Sequence, residues 1–248
     1  MNASLNPFPY RLRIEHEGGA GVCLRHKGRP IRFDPAQPVH ADDVVIVTTP
    51  DPARLRFVQG GLGTVVAPPA LLPWVSARDG HSAPVDIDGV HIEMIPYTPA
   101  SVGVDGMLPR AQGLLRRPMR SARRLLAQQR LPSAQPHITI VTFASGERLL
   151  HLNLSLHEGT PGDWLQSIQQ RTAGVEWLLL GVVPGQGAAA LQALQGFSAT
   201  HVLFTDFVAD IWRELGRPVE LLTPTADQAQ SMGIDGQVCV SQASFRYE

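Results

Sequence analysis

Cysteine is scarce in this chain. Cys23 and Cys239 are the only two in 248 residues, and neither has a neighbour at metal-ligand spacing. That excludes a zinc knuckle and a disulfide framework, and both read as small core residues. Long apolar runs are also missing: no segment approaches the roughly 20 residues needed to span a bilayer. Met1 to Tyr10 has no basic region followed by an apolar core, so the expected location is the cytoplasm and no membrane span is expected. A balance of 21 Lys+Arg against 22 Asp+Glu leaves a formal net charge of -1. A whole-molecule bias toward polyanions is thereby excluded, and no nucleic-acid partner is expected. No nucleophile stands out, since Ser145-Gly146 and Ser155 lack the flanks of a nucleophile elbow and neither cysteine has the setting of a catalytic thiol. Gly185-Gln186-Gly187 lacks the third glycine of a dinucleotide fingerprint and the Lys-Ser/Thr of a P-loop, so it reads as a tight strand-to-helix turn.

What is present is a regular succession of short strands and helices. Glycine and proline punctuate strands at Tyr10 to His16, Gly21 to His26, Pro30 to Phe33 and Val44 to Thr48, a density that suggests one sheet of a sandwich. Leu55, Val58 and Leu62 then recur at helical spacing after Pro52, and Thr64 to Ala67 reads as a buried strand closed by prolines. Val85, Ile87, Val90, Ile92 and Met94 alternate about an Asp88-Gly89 turn, which is a hairpin signal. The second half repeats this order. A hairpin of Ile138 to Phe143 and Arg148 to Leu154 is followed by a helix over Asp163 to Arg171 and a strand over Glu176 to Val183. Next come a helix over Gly185 to Leu194, a strand over His201 to Phe204, a helix over Phe207 to Leu215 and a strand over Val219 to Leu222. Two half-units of strands backed by helices predict one α/β domain over residues 1–248, built as a four-layer αββα sandwich.

The stretch Ile31 to Leu55 is the most specific. An apolar strand ends in Phe33-Asp34-Pro35, an acidic turn follows at Asp42-Asp43, and Val44-Val45-Ile46-Val47 leads into Thr48-Thr49-Pro50-Asp51-Pro52-Ala53-Arg54. With the hairpin at Asp88-Gly89, this layout resembles the metallo-β-lactamase superfamily and its lactonase-like branch. In that family the second run ends in Thr-His-x-His-x-Asp-His, whose imidazoles and carboxylate converge on two metal ions. Here those positions hold Thr49, Asp51, Ala53 and Arg54. Threonine is a poor zinc ligand, alanine is none, and a protonated arginine repels a dication. The resemblance further implies a metal-bridging aspartate within His151 to His157, where there is none, with Asn153 or Ser155 in its place. It also implies a last histidine at or near Thr205. Three separated regions thus lack ligands, so no metal and no cofactor is expected.

If the fold is of this kind, Asp34, Thr48, Thr49, Asp51, Arg54, His151, Asn153, Thr205 and Asp206 converge at one end of the sandwich. Asp51 and Arg54, three apart at a helix start, can form an ion pair in place of the missing ionic charge, or Asp51 can serve simply as a helix cap. Asp51, His151 and Asp206 are the candidate catalytic or unorthodox ligand groups. Alternation puts His151, Asn153, Ser155 and His157 on one strand face, either as acid and base near neutral pH or on a solvent-facing edge.

One strong charge run exists. Arg110, Arg116, Arg117, Arg120, Arg123, Arg124 and Arg130 lie in a stretch with no Asp or Glu from Gly106 through Gly146. Leu114, Leu115, Met119, Ala122, Leu125 and Leu126 recur among them at near-helical spacing, which predicts a basic amphipathic helical insertion at about residues 103–135. It stands where the family carries its substrate-covering loop. Three readings remain: a lid that holds an anionic small molecule, a docking surface for an acidic protein or a second copy of the chain, and a solvated helix. Arg116, Arg120, Arg123 and Arg124 are the binding candidates. The whole supports two functions. One is a non-catalytic binding or scaffold subunit without the usual dinuclear metal site. The other is a hydrolase for an anionic ester, lactone or phosphodiester that works without metal or with one atypically bound ion.

Overall fold

In the computed structural model the described residues are 12–18, 21–26, 29–59, 63–75, 79–98, 135–182, 186–205, 223–239 and 244–247. Three strands, β1 (Leu12–Gly18), β2 (Gly21–His26) and β3 (Arg29–Phe33), form an antiparallel meander. The short parallel strands β4 (Val44–Ile46), β5 (Thr64–Val66) and β6 (Asp79–His81) extend it. The hairpin β7 (Val85–Ile87) and β8 (Val90–Pro96) passes to a second sheet, completed by β9 (His137–Phe143), β10 (Arg148–Asn153), β11 (Trp177–Gly181), β12 (His201–Thr205) and β13 (Asp235–Cys239). The last strand, β14 (Ser244–Tyr247), returns to the first sheet beside β1, so each sheet has seven strands. Positive φ at Asp88 and Gly89 gives the tight turn expected between β7 and β8.

Alternation along the strands builds the layers. Ile14, Leu24, Ile31, Phe33 and Ile46 of the first sheet pack against Ile92, Val141, Leu149, Leu179 and Leu203 of the second, forming the core between the sheets. The other face of β4 and β5 offers Val45, Val47 and Val65 to α1 (Pro52–Val58) and α2 (Leu72–Val75). The outer face of the second sheet, with Ile140, Leu152, Leu180 and Phe204, is covered by α3 (Gly162–Arg171), α4 (Gly187–Leu194) and α5 (Thr223–Ser231). This is the four-layer αββα sandwich that the order of elements predicts. Beyond the helices, the outer face of β1 to β3 is charged: Arg32 is buried between Glu17 at 3.3 Å and Asp43 at 3.1 Å. Burial raises the Glu17 carboxyl against the opposing pull of Arg32.

Several elements are absent from the sequence reading. α2 has four residues, too few to show a period, and β6 is the polar tripeptide Asp79-Gly80-His81 at a sheet edge. Among its described side chains α5 buries only small ones, Thr225, Ala226 and Ala229, and so shows no apolar stripe. The predicted helix over Phe207 to Leu215 and strand over Val219 to Leu222 lie outside the described residues, as does most of the arginine-rich insertion. No helix among the described residues is long and apolar enough to cross a membrane.

Candidate functional site

Phe33 of β3 and Ile46 of β4 are register partners, so the segments that follow them leave the first sheet side by side. Asp34 comes immediately after β3, completely buried and held at φ 40°. Its carboxyl accepts the Thr48 N–H at 2.8 Å, the Thr49 N–H at 3.3 Å and the Thr48 hydroxyl. Burial nonetheless dominates and raises its pKa to about 6, against the lowering effect of these hydrogen bonds and of the Arg54 charge.

Thr48 is the junction between the sheets. Its hydroxyl accepts the Asn153 side-chain amide at 3.1 Å, and its carbonyl accepts the His137 N–H at 2.9 Å. Asn153, at the end of β10, is 1% exposed and adopts φ 53° where the pairing with β11 shifts register. Of the three non-glycine residues with positive φ among those described, two are therefore Asp34 and Asn153. Such conformations cost energy and persist where the surroundings hold them, here through one hydrogen-bonded chain, Asn153 to Thr48 to Asp34.

His151 is completely buried on the face between the sheets, its ring 4.7 Å from that of Phe33 and paired in register with Thr139. Burial lowers its pKa to about 3. His157 lies beyond the strand, in a turn, where its Nδ1 accepts the Gly159 N–H at 3.1 Å. That assigns the ring proton to Nε2, which donates to the Thr98 carbonyl at 3.1 Å. The expected run of alternation from His151 through His157 thus stops at Asn153, because the chain turns there. The solvent-facing alternative also fails, since His151 is 0% and His157 6% exposed. A histidine held neutral down to about pH 3 is a poor acid or base near neutrality.

The start of α1 differs from one expectation. Asp51 accepts the Arg54 and Leu55 N–H groups through its backbone carbonyl at 3.0 Å each, which starts the helix. No ion pair joins its side chain to Arg54 among the described residues. Arg54 acts instead on Asp34, and its Nε is buried without a hydrogen-bond partner. The Thr205 hydroxyl donates to the Leu180 carbonyl at 3.1 Å, a bond within the second sheet. Thr48, Asp34, Thr49, Arg54 and Asn153 are thus brought together, whereas Asp206, Arg116, Arg120, Arg123 and Arg124 lie outside the described residues. Ser155, the alternative to Asn153 at the bridging position, and Thr139, which nothing in its local sequence marks, have buried hydroxyls without hydrogen-bond partners.

This donor set does not fit a dinuclear metal centre. Among the described residues no three His, Cys, Asp or Glu side chains are placed to hold an ion. Asp34 is committed to three donors, and an amide, hydroxyls and a guanidinium occupy the remaining positions.

Neither a protein-family model nor a curated protein sequence matches the chain. Solved structures do. A novel metallo hydrolase from the hyperthermophilic archaeon Ignicoccus hospitalis matches with TM-score 0.66 at 13% identity, over 96% of this chain and 98% of that one. The isothiocyanate hydrolase from Delia radicum gut bacteria matches with TM-score 0.59 at 10% identity, over 95% and 99% of the two chains. The diiron β-hydroxylase CmlA from Streptomyces venezuelae matches with TM-score 0.63 at 10% identity; the match spans 97% of this chain but 55% of that one. At these identities the likeness is one of fold, the αββα sandwich of metallo-β-lactamase type.

Proposed function

We propose that this protein is a binding or scaffold subunit on a metallo-β-lactamase-like fold and does not catalyse metal-dependent hydrolysis. The observation that carries this reading is the Asn153–Thr48–Asp34 chain. It ties Asn153, which stands where the resemblance calls for a metal-bridging aspartate, to Thr48 and the buried Asp34. Hydrogen bonds of this kind consume the lone pairs that a metal would need. The arginine-rich insertion supplies the complementary surface in this reading, suited to an acidic protein, a second copy of the chain or an anionic small molecule.

The rival reading, a hydrolase of an anionic ester, draws on the hydrolases among the fold neighbours. It would need Asp51, His151 or Asp206 as a reacting or ligating group, and the burial of His151 disfavours that one.

Elemental analysis of protein purified without chelator, together with an ester and phosphodiester hydrolysis screen with added zinc, manganese and iron, separates the two. The binding reading expects substoichiometric metal and no turnover. One or two tightly held ions per chain, or metal-stimulated hydrolysis, would overturn it.

A further inference from the structure

Arg54 sits where the family resemblance would place a metal ligand, and its surroundings point to a different occupant. It is only partly exposed, its Nε is buried without a hydrogen-bond partner, and no carboxylate among the described residues forms an ion pair with it. Asp34, a carboxyl coupled to it, has already accepted three hydrogen bonds from Thr48 and Thr49. A guanidinium with a desolvated N–H and no paired carboxylate is costly to keep in a folded protein unless it meets an acceptor.

Two further unpaired donors are close in sequence to the partners of Thr48. The hydroxyls of Thr139 and Ser155 are buried without partners, with their residues 0% and 1% exposed. Thr139 lies two residues beyond His137, whose N–H bonds to Thr48, and Ser155 two residues beyond Asn153, whose amide bonds to Thr48. Unpaired hydroxyls thus stand two residues on from both partners of Thr48, and a cation stands in the first turn of α1.

We propose that Arg54, together with the Thr139 and Ser155 hydroxyls, forms a binding site for a small oxyanion, a carboxylate or phosphate group. The inference rests on the reading that this end of the sandwich binds rather than holds a metal pair, and it names the chemistry bound. Guanidinium presents a planar fork of donors that matches two oxygens of a carboxylate or phosphate, and such charge-assisted bonds are stronger than neutral ones. The oxyanion supplies the acceptors that the buried donors lack.

The test uses the full-length protein in EDTA-containing buffer at constant ionic strength, titrated with inorganic phosphate and, separately, with malonate. Calorimetry and thermal melting are the readouts. Wild type is expected to bind at least one of the two saturably, with a rise in melting temperature. Arg54→Gln should lose at least about tenfold in affinity, and Arg54→Lys should keep part of it as a point charge. If Arg54→Gln does not fold, Arg54→Lys and Ser155→Ala give the reading, each expected to weaken binding. Arg56→Gln, which removes an exposed arginine two residues on in α1, should bind as wild type does. No saturable response to either anion, Arg54 variants that respond as wild type, or loss of the response in the Arg56 variant would each overturn the site. Metal content of the same sample keeps the two proposals apart. Bound metal sinks the binding-subunit reading, whereas a metal-free protein deaf to both anions sinks only the oxyanion site.

Discussion

The side-chain amide of Asn153 donates to the Thr48 hydroxyl at 3.1 Å, joining the end of a strand in one sheet to the loop leaving the other. Thr48 passes the interaction on to the buried Asp34. The two sheets are therefore fastened at the ligand end by neutral groups and one carboxyl.

Removing the junction should loosen that end. Thr48→Val leaves the Asn153 amide and one Asp34 oxygen short of a partner, at a cost of about 1–3 kcal/mol for each buried group. Asn153→Ala loses one hydrogen bond and places an alanine at φ 53°. Asn153→Gly removes the same bond and relieves the backbone, so it should be more stable than Asn153→Ala by about 1 kcal/mol. Urea unfolding of the three variants checks the order, and Asn153→Ala equal to or above Asn153→Gly would contradict it.

Two buried groups should oppose each other in acid. Asp34 is raised from 3.8 to about 6 in the fold, so its contribution is fully present below about pH 4 and is lost as pH rises through 6. His151 is lowered from 6.5 to about 3, so its contribution is present above 6.5 and is lost as pH falls toward 3. Between pH 4 and 6 the two slopes, about 1.4 kcal/mol per pH unit each, have opposite sign and largely cancel. His151→Leu should therefore gain stability relative to wild type on acidification through that window, and Asp34→Asn should lose it. Denaturant midpoints at half-unit pH intervals give the measurement; parallel curves for all three proteins would refute the assignment.

Chelation should leave thermal stability unchanged. A native state that binds no metal gains nothing from it by linkage. The melting temperature with and without EDTA is the check, and a fall reversed by zinc would count against the proposed function.

Salt should govern whatever the insertion captures. Exposed charges are screened beyond about 8 Å at physiological ionic strength, so retention on an immobilised acidic peptide should weaken steeply as salt is raised. Replacing Arg120, Arg123 and Arg124 by glutamine should abolish that retention while changing stability by less than about 0.5 kcal/mol. Identical elution of variant and wild type would leave the insertion a solvated segment.

Much of the fold was legible because it rests on local periodicity. Alternation in Val85 to Met94 and in Ile138 to Phe143, and helical spacing after Pro52, depend on which face of a strand or helix must be dry, and that is written within about ten residues. β6 and α5 were not legible, because one is polar and at an edge and the other buries little more than alanine. The return of β14 to β1 pairs Tyr247 with Leu12, and no local pattern encodes a partner that distant.

At the candidate site the sequence by itself determined the chemistry available: threonines, an asparagine and an arginine where the family resemblance calls for histidines and aspartates. Tertiary structure decided which of them touch. Asn153 and Thr48 are 105 residues apart and bond through their side chains, whereas Asp51 and Arg54, only three apart, are joined through the backbone bond that starts α1. Helical spacing permits an ion pair without requiring one. The hydrogen bond across the sheets forms because closing the hydrophobic sandwich removes water from Thr48 and Asn153 together, leaving each the other's available partner.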